Sequence, residues 1–76
     1  MPEAIEIDAT GLKCPMPVIK LQQQVRQSDA NQIIRLQTTD KAAEKDVRSW
    51  CQLNKHLFLG IENQPDHQVI SIKVKS

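Results

Sequence analysis

The chain has few aromatic residues, few cysteines and almost no excess of one charge. Among its 76 residues there is no tyrosine, and Trp50 and Phe58 are the aromatic side chains, so a core must be built from Ile, Leu and Val. Ten Lys and Arg against nine Asp and Glu leave a net charge of +1, too little to hold nucleic acid or anionic lipid by charge. No hydrophobic run reaches the roughly 20 residues that a membrane span needs. We therefore expect neither a membrane nor a direct nucleic-acid partner.

Two cysteines, Cys14 and Cys51, are too few for a disulfide framework. A secreted chain this short typically carries four or more at regular spacings. Neither cysteine forms C-x-x-C, which argues against a dithiol redox pair and against a zinc site. The acidic residues 1–6 lack the apolar segment of a signal peptide. The prediction is a small, cytoplasmic single domain over 1–76, monomeric and without a zinc site.

Hydrophobic periodicity predicts six elements in the order βαβαββ. In the first strand, 4–8, Ile5 and Ile7 alternate with acidic residues. The others are a helix from the Cys14 segment to about Arg26, a strand over 33–38, a helix from a Thr39-Asp40 cap to about Asn54, and a hairpin of strands 57–62 and 69–74. Because apolar and polar residues alternate along the strands, one face of the sheet should be exposed to solvent. This predicts an α/β (α+β) two-layer sandwich, a four-stranded mixed sheet with both helices on one face.

The segment Cys14-Pro15-Met16-Pro17 is where chemistry is expected. Pro15 disfavours the α conformation at Cys14, which suits an N-cap, and is itself pre-set for the first helical position. Pro17 is tolerated in the first turn, and the amides of Met16 and Val18 are expected to be free to donate to the sulfur. The prolines would then fix the direction of the thiol.

A thiolate at a helix N-terminus gains roughly 0.3–1 kcal/mol from the helix dipole, and up to about 2 when sheltered. At about 1.4 kcal/mol per unit, the Cys14 pKa would fall from about 8.5 to about 7–8, and Lys13 would add a little. His56 and His67 lack the context of a hydrolytic Cys-His site. The predicted reaction is exchange at sulfur. A small buried cysteine ahead of a helix is the plainer alternative from these residues alone.

The run Gly11-Leu12-Lys13-Cys14-Pro15-Met16-Pro17-Val18 resembles the G-x-x-C-P-x-P signature of the TusA/SirA-like sulfur-carrier family, and the likeness extends along nearly the whole chain. The resemblance implies that Cys14 accepts sulfane sulfur from a cysteine desulfurase as a persulfide and relays it to a downstream acceptor protein. Family destinations include tRNA 2-thiouridine, molybdenum-cofactor enzymes and sulfur oxidation. The implied protein is a shuttle, at most a sulfurtransferase, without a cofactor.

Within that resemblance, we assign Gly11 to the turn that brings the loop close, and Pro15 and Pro17 to positioning the thiol. Lys13 and an exposed Met16 are candidates for partner docking. These roles extend the helix-start argument, because a persulfide is a reversible cap on a reactive thiol and must protrude to be attacked.

Other residues and functions have plainer interpretations. Cys51, beside Trp50, is expected on the buried face of the second helix, and Asp46 is expected to pair locally on its surface. A regulatory or RNA- or protein-binding module remains the main alternative function. A ubiquitin-like carrier would need a terminal Gly-Gly where this chain has Lys73-Val74-Lys75-Ser76. A thiol peroxidase would need a resolving cysteine, which Cys51 is badly placed to supply.

Overall fold

The computed structural model describes residues 4–75 and contains the six elements in the predicted order. They are β1 (Ile5–Ala9), α1 (Met16–Arg26), β2 (Ile33–Thr38), α2 (Ala43–Asn54), β3 (Leu57–Asn63) and β4 (Gln68–Lys73). Residues 1–3 of the acidic N-terminal segment, and Ser76, lie outside the described residues. Within the described part, neither helix has the length and apolar character needed to cross a membrane.

The four strands form one mixed sheet in the order β1-β2-β4-β3. β1 runs parallel to β2, and β4 runs antiparallel to both β2 and β3. Ile7 pairs with Leu36, and Leu36 pairs with Ile70. Since paired residues point to the same side, this register places one aliphatic row across the sheet.

Both helices cover the face that carries this row, as predicted. Leu21 of α1 and Val47 of α2 belong to the same buried cluster as Leu36 and Ile70, and all four are fully buried. The predicted inner residues of β2 are also buried, namely Ile34, Leu36 and Thr38. The fold is therefore the expected two-layer α+β sandwich.

The opposite sheet face is polar. Arg35 of β2 lies between two carboxylates, with its Nε 3.4 Å from Glu6 and its Nη2 3.6 Å from Glu62. Exposed ion pairs of this kind add little stability. These ion pairs keep the uncovered face polar and exposed to solvent. The core and the site both lie on the helical side of the sheet.

Candidate functional site

A tight turn after β1 begins the site. The Leu12 amide donates to the Ala9 carbonyl at 3.2 Å, and Gly11 between them has φ +80. A side chain at this φ would strain the backbone, although the space around Gly11 is open. The Gly11 amide also donates to Thr39 Oγ1 at 2.8 Å. Gly11 thus makes the turn that brings this loop against the loop after β2.

Asp40 holds the two loops together. Its Oδ2 accepts the Cys14 amide at 2.6 Å, and its Oδ1 accepts the Ala42 amide at 2.9 Å. The amides of Ala42 and Cys14, with the positive charge of Lys13, hold the pKa of the Asp40 carboxyl below its usual value. The predicted N-cap at Thr39-Asp40 is wrong, because α2 begins at Ala43 and its N-cap residue, Ala42, has no side-chain cap; the Asp40 bond to the Ala42 amide lies in the turn before the helix. The bond to Cys14 was not predicted.

Replacing Asp40 with alanine is expected to loosen the Cys14 loop. The Cys14 amide would lose its acceptor, so its hydrogen exchange should accelerate by roughly an order of magnitude. Exchange followed by NMR gives the measurement, with Asp29→Ala in the exposed α1–β2 loop as the matched control. An unchanged Cys14 exchange rate in Asp40→Ala would show that the bond does not restrain the loop.

Because the Asp40 pKa is lowered in the folded state, the contribution of Asp40 to the free energy of unfolding should be present at neutral pH and lost as the pH falls through that pKa.

Helix α1 begins one residue later than predicted. Its first residue is Met16, and Pro15 occupies the N-cap position with φ −97 and ψ 10. The peptide bond between Cys14 and Pro15 is cis. The predicted N-cap at Cys14 and first helical position at Pro15 are therefore wrong, while Pro17 does lie in the first turn and is buried. The Met16 amide donates to the Lys13 carbonyl at 2.9 Å rather than to the sulfur.

The Cys14 thiol is directed at helix α2. Its Sγ donates to Asp46 Oδ2 at 2.6 Å. This hydrogen bond, partial desolvation, and the negative charges of Asp46 and Asp40 raise the pKa of the Cys14 thiol. The expected acidic thiol is therefore wrong, because a carboxylate in direct contact outweighs the dipole of a helix that begins two residues further on. The prediction that Asp46 pairs locally on the surface of α2 is also wrong, because its carboxylate accepts the hydrogen bond from Cys14.

A shallow apolar groove of about 340 Å³ opens beside Cys14. Its walls are Pro15, Val18, Trp50 and Leu53, and Asp46 and Ser49 complete its lining. Leu53 is 81% exposed. Trp50, predicted to be buried, is only partly so: it packs against the core cluster and stacks on His56 with ring centroids 4.8 Å apart. Trp50 thus lines the groove and also lies at the edge of the core.

The two free cysteines have opposite surroundings. Cys14 is exposed. Cys51 is buried in the core with 2% exposure, as predicted, and burial raises its pKa to about 11. Exchange chemistry is therefore accessible to Cys14, and Cys51 is structural.

The other candidate side chains lie on the surface or at separate contacts. Met16 is 41% exposed, as expected, and Lys13 is exposed on the loop. His56 Nδ1 accepts the Lys75 amide at 3.1 Å, and His67 Nδ1 lies 2.7 Å from Asp66. Among residues 4–75, no group of three or more His, Cys, Asp and Glu side chains is arranged to hold a metal ion.

Comparison with known proteins agrees with this fold and shows the family. The family model "Sulfurtransferase TusA" matches residues 5–75. The sulfur carrier protein TusA of Pseudomonas putida is 40% identical over 58 residues, 76% of this chain and 71% of that protein. YrkF of Bacillus subtilis is 34% identical over 62 residues, which cover 82% of this chain and 34% of YrkF. The chain therefore spans about a third of the length of YrkF.

A solved structure shares the fold. The crystal structure of a SirA-like protein from Desulfitobacterium hafniense matches with a TM-score of 0.77 at 19% identity, covering 95% of this chain and 99% of that one. The two-layer βαβαββ fold is therefore shared with a solved SirA-like protein. By its family match over residues 5–75, this chain belongs to the TusA family. The Pseudomonas putida relative is named a sulfur carrier protein.

Proposed function

We propose that this chain carries sulfane sulfur as a persulfide on Cys14, taking it from a cysteine desulfurase and relaying it to an acceptor protein. The observation that supports this most is the contrast between the two thiols: Cys14 is exposed at the rim of an apolar groove, and Cys51 is 2% exposed in the core. Family membership supports sulfur transfer as the chemistry. Thiolation of tRNA to 2-thiouridine is one pathway that such a relay would serve.

The proposed transfer is a thiol–persulfide exchange. The Cys14 thiolate attacks the terminal sulfur of the donor's persulfide, a new S–S bond forms at Cys14, and the donor's own S–S bond breaks. The donor cysteine leaves as a thiolate, so electrons balance without an external oxidant. Relay to the acceptor repeats the same step with Cys14 as the leaving group. No metal or organic cofactor enters this scheme.

The surrounding residues have supporting roles in this proposal. Gly11 makes the turn that brings the Cys14 loop against the loop after β2, and Pro15 and Pro17 fix the helix start. Lys13 and Met16, both exposed beside Cys14, contribute to partner docking. We further propose that residues 1–76 act as one domain and as a monomer. A free, exposed thiol fits a reducing compartment, so we propose that the protein is cytoplasmic.

Intact mass after incubation with a cysteine desulfurase and free cysteine tests the proposal. Wild type and Cys51→Ala should each gain one sulfur atom that reductant removes, whereas Cys14→Ser should gain none. Cys51→Ala is the matched control because it removes the buried thiol and leaves the exposed one. If wild type gains no sulfur from several desulfurases, the relay is refuted and a binding module becomes the better account. Sulfur on Cys14→Ser would assign the site elsewhere.

A further inference from the structure

The hydrogen bond from Cys14 to Asp46 opposes the reactivity that sulfur transfer requires. The nucleophile in exchange is the thiolate, yet the Cys14 thiol donates a hydrogen bond to the Asp46 carboxylate, and a thiol that donates this bond keeps its proton. Asp46 is partly buried in the first turn of α2, and its negative charge further disfavours a thiolate beside it. Cys14 is thus exposed but held in its unreactive form.

We propose that the Cys14–Asp46 hydrogen bond is a latch, which a docked partner opens by pairing a cationic side chain with Asp46. This inference rests on the proposed function of Cys14. In the free carrier the latch keeps the sulfur protonated and pointed at α2. In the complex the cation takes the carboxylate, and the thiol is released to ionise and to attack.

The lining of the groove explains why the partner must bring a cation. Trp50 and Leu53 form apolar walls next to Asp46, so a partner that covers these walls also removes Asp46 from water. A carboxylate buried without a partner of opposite charge is strongly destabilised. A thiol is a weak donor, so it cannot satisfy a desolvated carboxylate as an Arg or Lys side chain can.

The other charges around Cys14 leave Asp46 as the group on which a partner can act. Both oxygens of Asp40 already accept amides, from Cys14 and Ala42. Lys13 lies on the same loop and acts on Asp40, whose pKa it lowers. Both carboxylates, Asp46 and Asp40, disfavour the Cys14 thiolate. Neutralising Asp46 therefore removes the larger of the two restraints.

Opening the latch is a proton transfer followed by exchange. The Cys14 proton leaves to solvent, and the thiolate attacks the donor's terminal sulfur as described above. Until then the protonated thiol resists oxidation, which also proceeds through the thiolate. The latch therefore confines reactivity to the docked complex.

The first arm of the test needs no sulfur donor. The rate of Cys14 alkylation by iodoacetamide is measured against pH by peptide mass for wild type, Asp46→Asn, Asp46→Ala and Glu44→Gln. In both Asp46 variants the alkylation midpoint should move to lower pH, and alkylation at neutral pH should be several-fold faster, because the larger thiolate fraction outweighs the weaker nucleophilicity of a less basic thiolate. Glu44→Gln is the matched control, because Glu44 is also in the first turn of α2 but pairs with Arg48 at 3.0 Å. A midpoint that does not move in either Asp46 variant overturns the latch.

The second arm compares a small donor with a protein donor. Asp46→Asn should take sulfur from glutathione persulfide several-fold faster than wild type, because no partner is needed to free the thiol. It should show no such gain with a cysteine desulfurase, because the cationic side chain of the desulfurase then has no Asp46 carboxylate to pair with. An equal gain with both donors overturns release by the partner. A wild type that takes sulfur from neither donor refutes the carrier function instead, and the donor-free alkylation arm tells that failure apart from failure of the latch.

Discussion

Replacing Leu36 with alanine is expected to lower the free energy of unfolding by about 3–5 kcal/mol. Leu36 is fully buried in β2, between Ile7 on one neighbouring strand and Ile70 on the other. The substitution removes buried aliphatic surface and leaves a cavity between the sheet and the helices. A domain of this size has about 4–11 kcal/mol of stability in total, so the variant should approach its unfolding limit.

Urea unfolding followed by Trp50 fluorescence measures this loss. Gln37→Ala is the matched control, since Gln37 is the next residue of β2 and points to the uncovered face; its effect should stay within about 0.5 kcal/mol. A loss below about 1 kcal/mol in Leu36→Ala would contradict the position of β2 at the centre of the core. Sulfur transfer should decrease together with the folded fraction, because β2 leads directly into Asp40, whose carboxylate accepts the Cys14 amide.

The architecture could be predicted from the sequence because burial follows local periodicity. Ile34, Leu36 and Thr38 alternate along one strand, and the structure buries all three. Such a pattern identifies an element and its inner face without knowledge of the rest of the chain. Trp50 shows the limit of that reasoning. Its helical spacing predicts the apolar side of α2, but the structure leaves Trp50 only partly buried, packed against the edge of the core.

The chemistry of the site could not be predicted in the same way, because it depends on contacts between distant residues. Cys14 and Asp46 are 32 positions apart, and the dipole argument considered only the helix that follows Cys14. One signal was available. Since β1 and β2 are parallel, the loops after them meet at the same sheet edge, which brings Asp40 and the start of α2 towards Cys14. Acidic residues there argue for a raised thiol pKa.

The structure suppresses its two thiols by different physical means. At Cys14 the main cause is one hydrogen bond to an accessible carboxylate, which a partner can remove. At Cys51 the cause is burial in the core, which is lost only when the domain unfolds. The first is suited to control of reactivity and the second to stability, so the two cysteines should respond differently to alkaline pH.

Alkaline pH is expected to destabilise the fold through Cys51. Its pKa is raised from 9.0 to about 11 in the folded state, so between these values the unfolded chain loses the thiol proton while the folded chain retains it. The contribution of the protonated thiol is therefore complete below about pH 9 and declines as the pH rises towards about 11. Two units correspond to a loss of roughly 2–3 kcal/mol in the free energy of unfolding.

Urea unfolding at a series of alkaline pH values tests this linkage in wild type, Cys51→Ala and Cys14→Ser. Cys51→Ala should start from a lower stability, because it leaves a small cavity, but most of the decline with pH should disappear. Cys14→Ser should lose only a smaller part of it, because the pKa of Cys14 is also raised in the folded state but less than that of Cys51. The chain has no tyrosine whose ionisation would confuse the result. A decline of the same size in Cys51→Ala and wild type would show that the buried thiol is not its source, and would contradict the raised pKa of Cys51.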